Sequence, residues 1–475
     1  MLQHIPKGEH GEGIYAWKLD GSTGKLSSKP TAVSPVQPNP AFILKHPSKD
    51  IVYASTECIN ECGEVITLQV SNDGSLKELS RESAGGRSTC YLTLCSEQQA
   101  DGNNEEITAM GCVNYWDAIV SLLPVDPATG IVSGPAIDRH MQPGANYVFR
   151  NNPDRVEHWT HRQRWPHTHC FVTEPYERRY HFVPDLGQDI IWCYKIEASK
   201  LVLVGGVQLE KGQGPRHIVF HPTVKTLYVI NELKSTVSVL HYHPEKLHGS
   251  GTGVSVRDSQ DKNPGTGAFL QHAETLRTLP EDFQCSDHHK SHASEIRLHP
   301  SQRFLLIANR GHDSIAVYAI DGSPAGRGSL RLANITPSGG SFPRNFNFDR
   351  SGRFVVIGNQ NSNNLTVMSF CLETGNMDIV DQKHQPSPNF IYSLPEAATS
   401  SPVARKMKNA ALPTSPVAKE IPGEKDAGGV IAISVDDAAS TSAVSKRPLL
   451  QYTFVAGIVS LWFFVAVFIG NRADL

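Results

Sequence analysis

Hydrophobic and polar residues alternate along this chain in a unit of two strands joined by a tight turn, and the unit recurs. In one copy, Ile218 and Phe220 alternate with other residues, a turn follows at Pro222, and residues 227–230 form a continuous hydrophobic run. Alternation with a period of two predicts a half-buried strand, whereas a short continuous run predicts a fully buried one. Each copy continues into a third and a fourth strand, so the predicted unit is a four-stranded antiparallel sheet.

Copies of this unit begin near six positions, most of them spaced by about 40 to 50 residues, which is typical of β-propeller blades. The six positions are Pro40, Cys90, Thr168, Pro215, Ala293 and Pro343. Residues 249–290 interrupt the series and are predicted to be a polar insertion. A strand at 389–392, together with a strand at 13–19 and another after Gly24, is predicted to complete a seventh blade.

The predicted fold is therefore all-β: a seven-bladed β-propeller of four-stranded antiparallel blades over residues 11–394. The seventh blade lacks one strand, which we expect before Gly11, so either the closure is abbreviated or the N-terminus is incomplete. After residue 394 the chain is rich in Ala, Ser and Pro without periodicity. Residues 395–449 are accordingly predicted to be a disordered linker.

A hydrophobic segment follows the linker. Residues 452–470 contain no charged side chain and are bracketed by Lys446-Arg447 and Arg472. This length suits a helix that crosses a bilayer core of about 30 Å, so one C-terminal transmembrane helix is predicted at 450–470. The first residues of the chain lack the apolar run of a signal peptide. We therefore expect a single-pass, tail-anchored membrane protein whose propeller lies in the cytosol.

Composition narrows the classes of function. The formal net charge is −3 and no basic tract stands out, which disfavours a nucleic-acid partner. The 9 cysteines are scattered over 475 residues and are predicted to be reduced thiols rather than a disulfide framework. Function must therefore be sought in the side chains of the propeller itself.

Two positions of the repeat carry polar residues that strand geometry brings together. The start of a first strand and the end of an antiparallel second strand lie at one end of a blade, and the innermost strands line the channel. Equivalent positions of all blades should therefore meet at one mouth of the channel. The second position holds His169, Arg216, Ser294 and Arg344, and the eighteenth holds Glu57, Asp185, Glu232, Arg310 and Gln360. Charges of both signs predict an anion-binding pocket with an acid–base pair; a ring of salt bridges between blades is the alternative.

Several motifs around these positions resemble one family. They are Gly214-Pro215-Arg216-His217, His221-Pro222, Asn231-Glu232, the run 309–315 and the run 184–189. From about residue 11 to 394 the chain is similar to the seven-bladed propeller lactonases, which include propeller-type 6-phosphogluconolactonases and fungal carboxy-muconate lactonizing enzymes. The resemblance implies a small-molecule lactone as partner and a catalytic site formed by His169, Arg216, Glu232 and Arg310. The insertion, the linker and the membrane segment depart from the family pattern.

Opening a lactone requires a base that activates water, a group that stabilises the oxyanion and a group that protonates the leaving oxygen. We expect Arg216 and Arg310 to bind a carboxylate or phosphate of the substrate. Glu232 is assigned as the base and His169 as the proton donor, although the two roles could be exchanged. The other register residues are predicted to bind substrate: Arg344, Asp185, Glu57 and Gln360. The predicted function is 6-phosphogluconolactonase-like hydrolysis of an anionic sugar lactone, without a cofactor.

Three alternatives stay open. The same groups working in reverse on an unsaturated acid would give a lactonizing cycloisomerase of the muconate type. Other propeller lactonases, of unrelated sequence, use Ca²⁺ held by oxygen ligands, so a metal-dependent route is possible. The residues that could form such a site are Asn114, Asn231, Asn309 and Glu232, and a separate metal candidate is the cluster at 287–292, which contains His288 and His292. The last alternative is a catalytically inactive, membrane-tethered interaction scaffold, because propellers host many functions.

Overall fold

The structure, a computed structural model, describes residues 11–96, 106–143, 162–163, 165–247, 255–260, 268–284 and 290–394, together with the backbone of Ala427–Ser434. Within these residues the elements are β-strands, apart from one turn of 3-10 helix at Pro244–Lys246. The strands form seven sheets. The predicted all-β class is confirmed.

Six sheets are built from strands that lie close together in the chain. The chain opens with β1 (Ile14–Asp20) and β2 (Ala32–Ser34), which belong to a seventh sheet. The first of the six contains β3 (Pro40–Lys45), β4 (Ile51–Thr56), β5 (Glu64–Val70) and β6 (Leu76–Ser83). The second contains β7 (Thr89–Ser96), β8 (Ile107–Asn114), β9 (Ile119–Pro124) and β10 (Asp138–Met141). The third contains β11 (Val172–Thr173), β12 (His181–Asp185), β13 (Ile190–Glu197), β14 (Lys200–Gln208) and β18 (Ser255–Asp258). The next three contain β15 (Pro215–Phe220), β16 (Thr226–Asn231), β17 (Thr236–Tyr242) and β19 (Leu270–Arg277); β20 (His292–Leu298), β21 (Phe304–Arg310), β22 (Ser314–Asp321) and β23 (Ser329–Pro337); and β24 (Pro343–Phe348), β25 (Phe354–Asn359), β26 (Asn364–Phe370) and β27 (Met377–His384).

The seventh sheet joins the two ends of the propeller. Its order is β2-β1-β29-β28, where β28 is Pro388–Leu394 and β29 is Ala427–Ser434. The strand that we expected before Gly11 therefore comes from the C-terminal side, inside the segment 395–449 that was predicted to be a linker. The hydrophobic run at 430–433 is the sequence signal for this strand, but it is short and stands in a stretch dominated by Ala, Ser and Pro.

The rest of the predicted linker and the predicted transmembrane helix at 450–470 lie outside the described residues. In the part of the chain that the structure does describe, no helix is long and apolar enough to span a bilayer.

The sheets are arranged as a ring. The innermost strands contact one another in cyclic order, and β28 closes the ring against β3. The hydrophobic clusters lie between neighbouring sheets; one of them combines Tyr228 and Ile230 of β16 with Leu305 and Ile307 of β21. Burying these faces is the main favourable term in folding, and the repeat spreads it over many small cores. The predicted propeller of four-stranded antiparallel blades is confirmed.

The predicted insertion at 249–290 is partly built into the blades. Its described portion contains β19, the outer strand of the sheet that begins with β15, and β18, which pairs in parallel with β14. The prediction of a purely polar insertion is wrong at these strands. An outer strand is solvated along much of its length, so its sequence lacks the hydrophobic pattern that marks the inner strands.

A β-bulge interrupts six of the innermost strands near their starts: β3, β7, β15, β20, β24 and β28. In β15, Pro215 pairs with Asn231 and Ile218 pairs with Val229, so two residues of β15 oppose one residue of β16. A bulge changes the direction in which local side chains point and is common beside active sites. In β15 the two bulged residues are Arg216 and His217.

Candidate active site

One buried carboxylate organises the candidate site. Glu232 is 0% exposed, and the guanidinium groups of three arginines surround it. Arg162 Nη1 lies 2.7 Å from Glu232 Oε1, Arg216 Nε lies 2.9 Å from Oε2, and Arg310 Nη2 lies 3.2 Å from Oε2. Among the described residues, three guanidinium groups thus meet at one carboxylate. The cluster therefore has the electrostatics of an anion-binding site.

The ends of two sheets bring these groups together. Glu232 directly follows β16, and its backbone N–H donates to the carbonyl of Gly214 at 2.8 Å, just before the bulge that carries Arg216. Gly214 has a φ of +66°, and a Cβ atom there would come within 2.5 Å of the Leu233 side chain. Glycine is needed at this position for both reasons. Arg310 is the last residue of β21, in the next sheet of the ring.

His169 joins the cluster through two aromatic neighbours. Its ring centroid lies 5.0 Å from that of His217 and 5.3 Å from that of Tyr115. Arg216 Nη1 lies 3.2 Å from His217 Nε2, and Arg162 Nη2 donates to the Tyr115 hydroxyl at 3.0 Å. Both arginines also bind Glu232. His169 is therefore connected to the central carboxylate by two routes, through His217 and Arg216 and through Tyr115 and Arg162. The structure thus brings the four predicted catalytic residues into one cluster.

His292 also belongs to this cluster. It is the first residue of β20 and pairs with Arg310 in the ladder between β20 and β21. Burial is the main reason that the pKa of His292 is lowered to about 4; Arg310 and Arg162 lower it as well, while Glu232 opposes them. The imidazole is therefore neutral at neutral pH.

A second buried carboxylate, that of Glu295, lies in the adjoining part of the channel. His217 Nδ1 lies 3.4 Å from Glu295 Oε1, Arg297 Nη2 lies 3.7 Å from Oε2, and Asn345 Nδ2 donates to Oε2. Burial raises the pKa of Glu295, but Arg297, His217 and Arg216 together outweigh burial and lower it to about 2. Burial and then Arg216 lower the pKa of His217 to about 3. Glu295 is thus an ionised carboxylate beside a neutral imidazole.

This second group lines a cavity of ≈ 760 Å³ together with aromatic rings of the channel, among them Phe42, Tyr91 and Phe390. Phe42 stands 4.3 Å from Tyr91 and 4.5 Å from Phe390, centroid to centroid. The cavity is lined by residues that stand at the third and later positions of the repeat, whereas Arg216 stands at the second position. It is therefore the channel below the Glu232 cluster.

Three of the predicted substrate-binding residues lie at the same register but in other blades. Arg344 Nη2 is 3.7 Å from Glu57 Oε2, and both side chains are largely buried. Gln360 follows β25, and its Nε2 donates to the Ser387 hydroxyl at 3.5 Å. The ion pair links the sheet of β24 to the sheet of β3, as the salt-bridge interpretation of the repeat register expects.

Asp185, the fourth predicted substrate-binding residue, organises a loop. Its Oδ1 accepts backbone N–H groups from His167 at 2.7 Å, Gly187 at 3.0 Å and Gln188 at 3.1 Å. Burial raises the pKa of Asp185 to about 7, although these hydrogen bonds act in the opposite direction. Since His167 lies two residues before His169, Asp185 fixes the segment that carries the predicted proton donor.

The three candidate asparagine ligands hold their own blades together. Each lies at the end of a second strand or one residue before it, and its Nδ2 donates to a serine hydroxyl of the third strand: Asn114 to Ser121 at 3.2 Å, Asn231 to Ser238 at 2.9 Å and Asn309 to Ser314 at 3.2 Å. Among the described residues, no cluster of three or more His, Cys, Asp or Glu side chains is arranged to hold a metal ion. His288 lies outside the described residues.

Two members of the cluster, Arg162 and Tyr115, were missed by the repeat alignment. Tyr115 follows Asn114 as Glu232 follows Asn231, so the asparagine that ends each second strand is a signal that could have found it. The connection between β7 and β8 is longer than the corresponding connections in the other copies. In this copy the residue that follows the asparagine therefore lies beyond the eighteenth position of the repeat. Arg162 lies outside the repeat units, and no periodicity marks it.

The comparisons with known proteins agree with this geometry. The sequence model of a family described as lactonase, 7-bladed beta-propeller, matches residues 4–392. The 6-phosphogluconolactonase of Bacillus subtilis strain 168 is 30% identical over 370 residues, which cover 78% of this chain and 90% of that protein. An uncharacterized protein of Staphylococcus saprophyticus is 30% identical over 380 residues, which cover 79% of this chain and 93% of that protein.

Solved structures share the fold. The periplasmic gluconolactonase PpgL of Pseudomonas aeruginosa superposes with a TM-score of 0.63 at 23% identity and covers 80% of this chain and 96% of its own. A putative 6-phosphogluconolactonase from Bacteroides fragilis superposes with a TM-score of 0.62 at 22% identity and covers 81% and 95%. At this level of identity the two structures show a common architecture.

Proposed function

Because the chain belongs to the family of seven-bladed β-propeller lactonases, we propose that it hydrolyses an anionic sugar lactone in the manner of a 6-phosphogluconolactonase. The observation that carries this proposal is the convergence of three arginines on the buried carboxylate of Glu232. A phosphate or carboxylate of the substrate would bind these arginines through bidentate contacts with their guanidinium groups. A ring of salt bridges that only joined blades would be expected to carry matched charges.

In the proposed reaction, water attacks the lactone carbonyl carbon and a new C–O bond forms. Glu232 takes a proton from that water, and one of the arginines stabilises the oxyanion of the tetrahedral intermediate; a single donor of this kind contributes roughly 10²–10³-fold to kcat. When the intermediate collapses, the bond from the carbonyl carbon to the ring oxygen breaks. His169 donates a proton to the leaving oxygen, and Arg216 and Arg310 hold the anionic group of the substrate.

We assign the remaining register residues according to their contacts. Arg344, Glu57 and Gln360 line the same mouth in other blades and are proposed to contact the part of the substrate distant from the lactone carbonyl. Asp185 is proposed to act through the backbone that it holds, because its Oδ1 already accepts three N–H groups. Its replacement should displace His169 rather than remove a substrate contact.

The calcium-dependent alternative does not suit the donor set. Calcium binds amide oxygens, and Oδ1 of Asn114 accepts from the Thr89 hydroxyl at 2.7 Å while Oδ1 of Asn309 accepts from the Thr278 hydroxyl at 2.6 Å. A cation at Glu232 would also meet three guanidinium groups at close range, and like charges repel strongly in a buried site. We therefore propose that the reaction needs no metal ion.

The test is lactone hydrolysis by the purified full-length protein, measured above spontaneous opening. The substrates are 6-phosphogluconolactone, gluconolactone and a muconate for the reverse reaction. We expect the phosphorylated lactone to be preferred, Glu232→Gln to be nearly inactive, and EDTA to have no effect. Glu61→Gln, which changes an exposed glutamate, is the control. Activity of wild-type protein no greater than that of Glu232→Gln on every lactone would favour the inactive scaffold, and turnover of the muconate alone would favour the cycloisomerase.

The membrane location is proposed from sequence alone. Residues 450–470 lie outside the described residues, and their length and lack of charge favour an anchor that leaves the propeller in the cytosol. Carbonate washing of membranes from cells that express the full chain tests this proposal. Retention in the membrane pellet is expected, and release of the full-length protein would contradict it.

A further inference from the structure

Phe342, at the edge of the candidate site, has a backbone conformation that its side chain does not favour. It immediately precedes β24 and has a φ of +70°, in the left-handed region where bulky side chains are rare. Hydrogen bonds on both sides hold this conformation. The Phe342 N–H donates to Asp313 Oδ1 at 2.7 Å, and the Phe342 carbonyl accepts the N–H of Gln360 at 3.0 Å.

The left-handed conformation belongs to the repeat, whereas the bulky side chain does not. Among the described residues, five innermost strands are preceded by a residue with a positive φ: Asn39, Ser88, Gly214, Phe342 and Ser387. The hydrogen bond to Asp313 also has a counterpart, because the N–H of Gly214 donates to Asp189 Oδ1 at 2.7 Å. The fold therefore requires this conformation, and small residues meet the requirement in the other four of these blades. A phenylalanine at such a position points to a function of its ring.

The ring of Phe342 contacts Arg310 of the candidate site. Arg310 Cζ lies over this ring, 5.6 Å from its centroid, a distance at which the ring attracts a guanidinium group. The attraction is stronger where water is excluded, and both residues are buried, at 4% and 0% exposure. Asp313 Oδ1 also accepts the N–H of Gly311, the residue after Arg310, at 3.0 Å. One carboxylate oxygen thus fixes the backbone beside both partners of this contact.

The contact restricts Arg310 without occupying it as a second carboxylate would. Arg310 Nη2 lies 3.2 Å from Glu232 Oε2 and 3.3 Å from the carbonyl oxygen of Ala293. A guanidinium group has five N–H donors in a planar fork. Because the ring attracts the cation through its π face, the fork remains directed at the polar groups of the cluster.

We propose that Phe342 is a positioning residue of this site, whose ring holds the Arg310 guanidinium in the orientation that binds both Glu232 and the anionic group of the lactone. The proposal rests on the lactonase function proposed above. No bond of the substrate forms or breaks at Phe342, so the residue acts on the affinity for the anion. It therefore contributes to the preference for a phosphorylated lactone over a neutral one.

Three substitutions separate positioning of Arg310 from ordinary packing. Phe342→Leu keeps an apolar side chain without a ring, Phe342→Asn suits the left-handed backbone without a ring, and Phe342→Tyr keeps the ring. For the first two we expect the KM for 6-phosphogluconolactone to rise about 5–30-fold. Their kcat, and their KM for the neutral gluconolactone, should change by less than about threefold. Phe342→Tyr should restore the preference for the phosphorylated lactone.

Phe304→Leu is the matched control. Phe304 is 3% exposed and Arg303 Cζ lies over its ring at 5.8 Å, but Phe304 begins β21, whereas Arg310 ends it. This variant should have a lower Tm, as Phe342→Leu should, and an unchanged ratio of kcat/KM between the two lactones. Equal losses on both lactones in Phe342→Leu, or an unchanged ratio in Phe342→Asn, would overturn the proposal.

A second measurement does not depend on turnover. Calorimetric titration of the full-length protein with inorganic phosphate should show binding that Phe342→Leu weakens about 5–30-fold and that Phe304→Leu leaves unchanged. If the wild-type protein opens no lactone but binds phosphate in this pattern, the proposed function has failed while the positioning of Arg310 for an anion is supported. Normal turnover with the same phosphate affinity in wild type and Phe342→Leu would reject the role of Phe342 alone.

Discussion

Two buried carboxylates lie beside the channel of this propeller, and they differ in the charge that surrounds them. Glu232 binds three guanidinium groups within 3.2 Å. Glu295 has one arginine at 3.7 Å, a neutral imidazole at 3.4 Å and the amide of Asn345. The first carboxylate thus contacts three arginines, whereas the second contacts one.

We interpret the Glu232 cluster as an anion-binding site and the Glu295 group as a contact that joins blades. The partners of Glu295 come from β15, β20 and β24, and Asn345 continues the series by accepting the backbone N–H of Ile391 in β28 at 2.9 Å. These bonds tie four innermost strands together. Gathering three arginines in a buried site near Glu232 costs stability, and this cost is explicable if a ligand offsets it.

The largest effect is expected from Glu232→Gln. Loss of a positioned base lowers kcat by about 10²–10⁴-fold. The variant also removes a negative charge beside three arginines, so the affinity for the product 6-phosphogluconate should be unchanged or tighter. Steady-state kinetics and calorimetric titration measure the two quantities. Weaker product binding would contradict the view that Glu232 shapes an anion site without itself binding the anion.

The converse result is expected from Glu295→Gln. Removing one partner of a buried ion pair costs roughly 3–5 kcal/mol, and the amide, which keeps part of the hydrogen bonding, should bring this nearer 3 kcal/mol. We expect kcat to change by less than about threefold. Denaturant unfolding and kinetics on the same preparation decide the matter. A loss of kcat like that of Glu232→Gln would remove the distinction between the two clusters.

Acid unfolding sharpens the same prediction. Because the folded-state pKa of Glu295 lies below its ordinary value, at about 2, its stabilisation is present above about pH 4.5 and is lost as the pH falls toward 2. The free energy of unfolding of Glu295→Gln should therefore depend less on pH across this interval than that of wild type. Parallel pH profiles would show that Glu295 is not held as an ion in the folded protein.

Arg216 belongs to both clusters and should show both effects. Its Nε binds Glu232 at 2.9 Å, and its Nη1 donates to the backbone carbonyl of Ser294 and approaches His217. Lysine has no planar fork and cannot make these contacts together. Arg216→Lys is expected to raise KM about tenfold and to cost roughly 1–2 kcal/mol of stability. Arg331→Lys, an exposed change, is the control, and an effect on only one quantity would assign Arg216 to one cluster.

The sequence predicted the blades because each blade is local in the chain. Alternating strands and recurrent turns identified six sheets, and the repeat register placed Arg216, Glu232 and Arg310 at one mouth. The seventh sheet was incomplete because β29 lies more than thirty residues beyond β28. Strict alternation along a strand would place Arg216 and His217 on opposite faces, whereas the bulge in β15 brings both into the channel network. Bulges depend on pairing between strands, which one sequence does not display.

The smallest effect is expected from Asn345→Ser, which leaves both carboxylates in place. Asn345 donates to Glu295 and accepts from the backbone of Ile391, and serine is too short to keep both bonds. At about 1 kcal/mol for each hydrogen bond, the free energy of unfolding should fall by roughly 1–2 kcal/mol. Catalysis should be unaffected, because the Glu232 cluster is not changed. A fall in kcat without a change in the free energy of unfolding would show that changes at the Glu295 group affect the active site through His217 and Arg216. The two carboxylates would then form one functional unit.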